Sequence, residues 1–205
     1  MTISRPSVLR VAAISALLIA GAIVPQVRGA RGEGKGSYFP LSVGDEWVYG
    51  LHRRAAKTET TVKWTVTQME TVQGSAVYYL WQRPAQGDEP LGLSETKNGV
   101  AEAGTERVLL KYPLQAGDRW SGKSQSLKAK GKSFAFEVIE AGKPCGIGGQ
   151  FFDDCAVVRE VDGANDVTSL TTYARGVGPV KYVYFKGIHS DEADDTMVIK
   201  SWHVR

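Results

Sequence analysis

The chain has 205 residues, of which 42% are hydrophobic, and it carries 25 basic and 22 acidic side chains. This hydrophobic share excludes intrinsic disorder, and a chain of this length buries about 70% of its unfolded surface without a disulfide framework or a structural metal. Residues 1–30 contain three arginines and no acidic residue, so the rest of the chain has 22 basic and 22 acidic side chains. That balance argues against a general nucleic-acid-binding surface, which needs an excess of cations.

The first thirty residues have the layout of a secretory signal peptide. Arg5 and Arg10 precede a mainly apolar stretch at 11–24, and small residues allow cleavage after Ala22 or after Gly29. The stretch covers about 21 Å at about 1.5 Å per residue, against about 30 Å of hydrocarbon in a bilayer, so a permanent anchor is the weaker interpretation. We therefore predict that residues 1–30 are removed and that the mature protein is periplasmic or extracellular, with no stable membrane span.

Residues 18–21, Leu-Ile-Ala-Gly, resemble the start of a bacterial lipoprotein signal. In such a signal the next residue is the cysteine that becomes acylated, and in this chain that residue is Ala22. Lipidation at this position therefore has no nucleophile.

The part of the chain after the signal peptide has the pattern of a strand-rich domain. Residues 31–37 are rich in glycine and charge and predict a flexible lead-in, and residues 38–205 predict one domain. Apolar Val62, Trp64 and Val66 alternate with polar residues, a period of two that is typical of strands. The predicted strands are 47–51, 62–67, 76–83, 91–96, 107–111, 119–127, 134–139, 155–161, 167–173, 180–186 and 197–204.

Turn-forming residues separate these strands at short intervals. They lie at 73–74, 98–99, 131, 162–163 and 187. No window shows the apolar periodicity of an amphipathic helix. The fold class that follows is all-β, with a single antiparallel, strongly curved sheet that forms an open barrel or a sandwich.

A short pattern, Pro-Leu-x-x-Gly-Asp-x-Trp, occurs twice, 73 residues apart. Its members are Pro40, Leu41, Gly44, Asp45 and Trp47 in the first copy and Pro113, Leu114, Gly117, Asp118 and Trp120 in the second. We interpret each copy as a proline-stiffened approach, a Gly-Asp turn and a tryptophan that opens the next strand, so each copy is predicted to begin one half of the sheet. The alternative is a paired ligand site that uses both tryptophans, although buried tryptophan is more often a core anchor.

The opening of the domain has a familiar form. The Tyr-Phe-Pro-Leu-x-x-Gly-x-x-Trp-x-Tyr segment at 38–49 resembles the opening of a loose group of exported bacterial proteins and lipoproteins of unknown function. Two later segments are similar to segments of that group, namely Gly149, Phe151 and Cys155, with one inserted residue, and Tyr173, Gly176, Val177, Gly178 and Val180. These are turn and core residues, so the resemblance implies a fold and implies no catalytic residue. Many members of the group look lipidated, and Ala22 departs from that pattern.

Cys145 and Cys155 are the two cysteines of the chain. After export to an oxidising compartment such a pair usually forms a disulfide, and the glycines at 146, 148 and 149 let the chain fold back between them. Closing so short a loop stabilises the fold by about 2–3 kcal/mol. The alternatives are free thiols, or a reactive cysteine, which would need a basic neighbour.

Metal sites have weak support in the sequence. The strongest calcium candidates are the oxygen-bearing residues Asp191, Glu192, Asp194 and Asp195, with further acidic groups at 153–154 and 162–166. None matches the spaced calcium-loop pattern, and acids beside glycine are common in solvated turns. The histidines, His52, His189 and His203, are not spaced as zinc ligands. We predict no metal and no cofactor.

The basic residues concentrate at Lys123, Lys128, Lys130 and Lys132. Lysines on an exposed strand prevent edge-to-edge aggregation, and we favour this interpretation over a site for an anionic surface.

The sequence lacks the local motifs of serine hydrolases, zinc proteases, phosphate-binding loops and dinucleotide-binding folds. The favoured hypothesis is an exported, non-catalytic module that binds an apolar small molecule or serves as an envelope component. The alternative is a hydrolase of envelope or extracellular polymer with a pair of carboxylates, which leaves no local motif. A third hypothesis is an adhesion or scaffold module with an exposed apolar patch. Carboxylates converging in a cleft would favour the hydrolase, and apolar rings would favour binding.

Overall fold

The computed structural model describes residues 36–56, 58–83, 89–124 and 132–205, which form twelve β-strands and no helix. The strands are β1 (Glu46–Arg53), β2 (Thr60–Val72), β3 (Ser75–Arg83), β4 (Leu91–Thr96), β5 (Gly99–Glu102), β6 (Val108–Lys111), β7 (Arg119–Ser124), β8 (Lys132–Ile147), β9 (Gln150–Asp162), β10 (Val167–Ala174), β11 (Gly178–Lys186) and β12 (Asp195–His203). No helix long and apolar enough to cross a membrane occurs in these ranges.

The structure confirms the predicted all-β class and the predicted strands, with one omission. Sequence reasoning missed β5, because its first residue, Gly99, was assigned to the predicted turn at 98–99 and its four residues are too few to show an alternation. The predicted strand at 119–127 is observed as β7 over Arg119–Ser124, and residues 125–127 lie outside the described residues. The predicted signal peptide, most of the lead-in, the turn at 131 and two of the four lysines lie outside the described residues.

All twelve strands belong to one antiparallel sheet with the order β6-β5-β4-β3-β2-β1-β12-β11-β10-β9-β8-β7. The first and last strands therefore pair in the middle of the sheet, with Trp47 opposite Trp202 and Leu51 opposite Met197. From this pair, β1–β6 extend one way and β12–β7 the other. The sheet curls until it is nearly closed into a barrel, with one unsealed seam between β6 and β7.

Both copies of the repeated pattern form the same turn. The N–H of Gly44 donates to the carbonyl of Val66 at 2.9 Å, and the N–H of Gly117 donates to the carbonyl of Val138 at 2.8 Å. The two glycines have φ values of 94° and 91°, in the left-handed region that disfavours side chains. The copies precede β1 and β7, which are the first strands of the two halves, as predicted.

The two halves differ at their junctions. Asp45 is fully buried, and its Oδ1 accepts the backbone N–H of Arg205 at 3.0 Å, which ties the residues after β12 to the start of β1. The corresponding Asp118 is exposed. Its Oδ2 accepts the backbone N–H of Gln115 at 3.2 Å, within its own turn.

The seam is bridged at one end. The N–H of Glu106 donates to the carbonyl of Lys123 at 3.1 Å, and the indole Nε1 of Trp120 donates to the carbonyl of Val108 at 2.7 Å. A Cβ at Gly122 would lie 2.2 Å from the Glu106 carbonyl oxygen, so the absence of a side chain there permits the close approach.

Candidate ligand-binding site

A half-open cavity of about 840 Å³ is lined by strands and turns of the curled sheet. Its wall comes from both halves, from β2–β6 on one and from β9–β12 on the other, together with Phe39 from the segment before β1. Cavities of a few hundred to about 1,000 Å³ hold cofactors and drug-sized molecules in other proteins. The size and position of this cavity make it the candidate functional site.

Aromatic and aliphatic side chains form much of the wall. Trp64 and Leu80 come from neighbouring strands β2 and β3, where the inward-facing positions are buried. The Phe39 ring lies 6.0 Å from the ring of Tyr173, measured between centroids, and both rings line the cavity. The alternation that defines the strands therefore also supplies the apolar surface.

Trp64 also carries a buried polar group. The residue is 8% exposed, and its indole N–H has no hydrogen-bond acceptor among the described residues. Leaving a buried donor without an acceptor costs about 1–3 kcal/mol, and such groups are rare in folded proteins. The nitrogen is itself buried, so it is the ring of Trp64 that contributes to the wall.

A group of three charged side chains, the Arg107 cluster, lies in the same wall. Arg107 precedes β6, Glu102 ends β5, and Glu160 comes from β9 in the other half. The Arg107 Nε donates to Glu160 Oε1 at 3.1 Å, and Arg107 NH2 also donates to that oxygen. Arg107 NH1 lies 3.6 Å from Glu102 Oε2. The cluster therefore connects the two halves of the sheet across the cavity.

Electrostatics hold Arg107 in its charged form. Burial acts to lower the pKa of Arg107, but the neighbouring Glu160 and Glu102 outweigh burial and raise the pKa above its ordinary value. The guanidinium carbon also lies 4.4 Å from the centroid of the Phe134 ring, a cation–π contact. Charge pairing and ring contact together compensate for removing the guanidinium from water.

Glu102 and Glu160 form a pair of carboxylates in a cleft, which is the feature expected of the hydrolase alternative. In a glycosidase the two carboxyl groups lie about 5–9 Å apart on either side of the bond that is cleaved. Here the guanidinium of Arg107 contacts both carboxylates. A protein cation thus stands where such an enzyme would place the substrate bond.

Two tyrosines add neutral polar groups to the wall. Burial raises the pKa of Tyr182 to about 12 and also raises the pKa of Tyr173, with the charge of Glu160 acting in the same direction on both. The phenols therefore remain protonated at neutral pH and can donate hydrogen bonds.

The repeated tryptophans do not form the paired ligand site considered as an alternative. Trp47 is fully buried, and its Nε1 donates to the carbonyl of Val177 at 2.6 Å. Trp120 is bound to Val108 across the seam, and neither ring lines the cavity. Both tryptophans hold neighbouring segments of backbone.

The other residues of the predicted structural motif lie in turns and in the core. Leu41 is buried, and Pro40 and Leu114 are partly buried. Gly176 donates its N–H to the carbonyl of Ser37 at 2.8 Å. A Cβ at Gly178 would lie 2.9 Å from the Trp47 Nε1, and Gly178 has a φ of 109°, so glycine allows the indole to approach. Pro113 is exposed.

Cys145 in β8 and Cys155 in β9 lie on paired strands with their sulfurs at disulfide distance. Their Cα atoms are 6.0 Å apart, within the range that a disulfide spans. Neither cysteine lines the cavity. The pair connects the two strands of a long hairpin, apart from the candidate site.

The calcium candidates do not converge. Asp194 Oδ2 accepts the backbone N–H of Lys186 at 2.6 Å, Glu192 forms an ion pair with Arg54, and Asp195 begins β12 opposite Arg53. Asp191 is exposed. In the described ranges no group of three or more His, Cys, Asp or Glu side chains is placed to hold a metal ion.

Sequence reasoning missed the Arg107 cluster. Arg107 and Glu160 are separated by 53 residues, and no local motif connects them. One signal was available, since Ala156, Val158 and Glu160 share one face of β9 and the first two are buried. A charged residue at an inward position of a strand indicates a buried partner or a functional role.

Comparisons with known proteins identify similar structures but no family. No protein-family model and no curated protein matches the chain. A Bacteroides fragilis protein described as exported, with a YmcC-like fold, is 10% identical over 82% of this chain and 100% of its own, with a TM-score of 0.46. A Parabacteroides distasonis protein described as a lipoprotein is 12% identical over 83% of this chain and 100% of its own, with a TM-score of 0.40. At 10–12% sequence identity, the similarity to these two proteins is one of fold alone.

Proposed function

We propose that this protein is an exported, non-catalytic module that binds a small molecule with an apolar body inside its curled sheet. The observation that carries the proposal is the cavity of about 840 Å³, with rings such as Trp64, Phe39 and Tyr173 in its wall. An apolar molecule that enters such a cavity leaves water and contacts rings and aliphatic side chains. Removing its apolar surface from water stabilises the complex by about 25 cal/mol per Å².

Export is the second part of the proposal. It rests on the two arginines and the apolar stretch at 11–24, followed by small residues suited to cleavage. The two cysteines, whose sulfurs lie at disulfide distance, suit an oxidising compartment.

The adhesion alternative would need a contiguous exposed apolar surface. The large exposed hydrophobic side chains in the described ranges come from several different elements. They are Val43, Met69, Val72, Ile139, Phe151 and Ile188. Single exposed hydrophobic residues are normal on soluble domains, so we favour the interior cavity over a surface patch.

The test is binding of the apolar fluorophore N-phenyl-1-naphthylamine to the purified mature protein. We expect its emission to rise on binding and the Thr171→Trp variant, which fills the cavity from β10, to lose about tenfold or more in affinity. The matched control is Thr67→Trp on β2, where the threonine is exposed and outside the cavity wall.

Gln82→Trp, from β3 in the opposite half, serves as a second cavity-filling variant in case Thr171→Trp does not fold. Native mass spectrometry of protein purified from its own host would show a co-purifying small molecule. The proposal would be contradicted if the unaltered protein did not bind the fluorophore. It would also be contradicted if both cavity-filling variants folded and bound the fluorophore as tightly as the unaltered protein does.

A further inference from the structure

We infer that Glu160 selects the polar group of the bound molecule, so that the ligand carries a hydrogen-bond donor, a hydroxyl or an ammonium, and not a carboxylate. This inference rests on the proposed binding function and adds the chemical class of the ligand's polar end.

Glu160 presents an oxygen that the described chain leaves unused. Both hydrogen bonds from Arg107 go to Oε1 of Glu160, and no hydrogen bond from a described residue to Oε2 is observed. The side chain lines the cavity and is 20% exposed. A carboxylate oxygen in this position can accept a hydrogen bond from a ligand hydroxyl or ammonium. It cannot form a hydrogen bond with an ionised ligand carboxylate, because neither group has a donor.

Arg107 is already paired with two carboxylates. Its Nε and NH2 donate to Glu160 Oε1, and its NH1 lies 3.6 Å from Glu102 Oε2. The guanidinium carbon lies 4.4 Å from the centroid of the Phe134 ring. The charge of Arg107 is therefore compensated within the protein, and a ligand anion would compete with Glu160 and Glu102 for it.

The charge balance of the cavity wall also disfavours an anionic ligand. The described residues that line the cavity include three acids, Glu89, Glu102 and Glu160, against one base, Arg107. Like charges in a partly desolvated space repel strongly, so a ligand carboxylate is disfavoured there. The remaining polar groups in the wall, including Tyr182, are neutral at physiological pH.

The experiment compares three molecules with the same twelve-carbon chain and different ends, namely 1-dodecanol, dodecylamine and dodecanoate. Each competes with N-phenyl-1-naphthylamine for the mature protein at neutral pH, at concentrations below the micelle concentration of the two ionic molecules and below the solubility limit of the alcohol. We expect the alcohol and the amine to displace the fluorophore and dodecanoate to bind about tenfold or more weakly than either. The ranking of alcohol against amine distinguishes a hydroxyl ligand from an ammonium ligand.

The Glu160→Gln variant keeps the size of the side chain and removes its charge. We expect the affinity for dodecylamine to fall about tenfold, that for 1-dodecanol to change by less than about threefold, and that for dodecanoate to rise. The matched control is Glu137→Gln, because Glu137 also accepts from two arginines, Arg119 and Arg159, but lies outside the cavity wall.

Dodecanoate binding as tightly as the alcohol and the amine would overturn the inference, as would a folded Glu160→Gln variant with an unchanged ranking of all three. If the variant does not fold, the ranking on the unaltered protein decides alone. Failure of the fluorophore itself to bind would instead overturn the proposed function, so the two failures are distinguishable.

Discussion

Trp47 and Trp120 are the second residues of β1 and β7, the first strands of the two halves of the sheet, yet Trp47 is fully buried and Trp120 is only partly buried. Each indole Nε1 donates to a backbone carbonyl, that of Val177 for Trp47 and that of Val108 for Trp120. The difference in burial follows from their neighbours, because β1 pairs with β12 whereas β7 faces the unsealed seam. The two tryptophans therefore occupy equivalent positions in the repeated pattern, but Trp47 lies where β1 pairs with β12 and Trp120 lies at the open seam between β6 and β7.

The first prediction concerns the stability provided by these two residues. Trp47→Ala should lower the free energy of unfolding by about 3–5 kcal/mol, since it leaves a large cavity in the core and an unpaired carbonyl. Trp120→Ala should lower it by about 1–3 kcal/mol, since solvent can reach the vacated space. Urea unfolding monitored by circular dichroism measures both. Equal losses would contradict the structural difference between the two junctions.

The second prediction concerns the seam. Trp120→Phe removes the hydrogen bond from the indole to the carbonyl of Val108. The backbone hydrogen bond from Glu106 to Lys123 then holds this end of the seam without it. We expect the Glu106 amide to exchange its hydrogen faster, by about fivefold or more, while amides in the β1–β12 pair are unaffected. Hydrogen exchange by NMR gives the measurement. Trp81→Phe on β3 is the control, and a similar acceleration at Glu106 in that variant would argue for a global effect.

The third prediction concerns the cysteines. We expect mass spectrometry of the exported protein, alkylated without reduction, to find neither Cys145 nor Cys155 modified, because their Cα separation of 6.0 Å suits a disulfide. Replacing both residues by alanine should lower the free energy of unfolding by about 2–3 kcal/mol, from the loop that the bond closes. Alkylation of both residues in the unreduced protein would show that they are free thiols and would contradict the prediction.

The fourth prediction concerns alkaline pH. Burial raises the pKa of Tyr182 to about 12 and raises the pKa of Tyr49 and Tyr173 as well. An unfolded chain ionises tyrosine near pH 10, so between about pH 10 and pH 12 the folded chain binds more protons than the unfolded chain. The contribution of these phenols to stability is therefore complete below about pH 10, and it decreases as the pH rises above that value.

Urea unfolding at a series of pH values measures this decrease, and phenolate absorbance measures ionisation. Tyr182→Phe should make the fall in stability with pH less steep, because one raised pKa is removed. Ionisation of all eight tyrosines near pH 10, with the fold intact, would contradict the burial of these rings.

Much of the fold follows from local patterns. In β2 and β8, buried apolar residues alternate with exposed or partly buried ones, so the strand pattern is visible without knowing what each strand packs against. The repeated Pro-Leu-x-x-Gly-Asp-x-Trp pattern marks the first strand of each half because its glycine must adopt a positive φ in both turns. Strand β5 was missed because four residues beside a turn carry too little pattern.

The candidate site could not be assembled in the same way. Arg107 follows a turn and Glu160 lies in the middle of a strand in the other half, and nothing in the intervening sequence selects this pair over other acids and bases. A partner across a cavity depends on how far the sheet curls, and curvature accumulates over all of its strands.

The amino-acid sequence by itself determined that this protein is built of strands, where most of them lie, and that one repeated pattern begins each half of the sheet, because alternation and turn chemistry act over a few residues. Only the tertiary structure decided that one junction between the halves is closed and the other open, and that Arg107, Glu102 and Glu160 meet in a cavity. Those relationships join residues far apart in the chain, and they arise only when the whole sheet bends and brings its inward faces together.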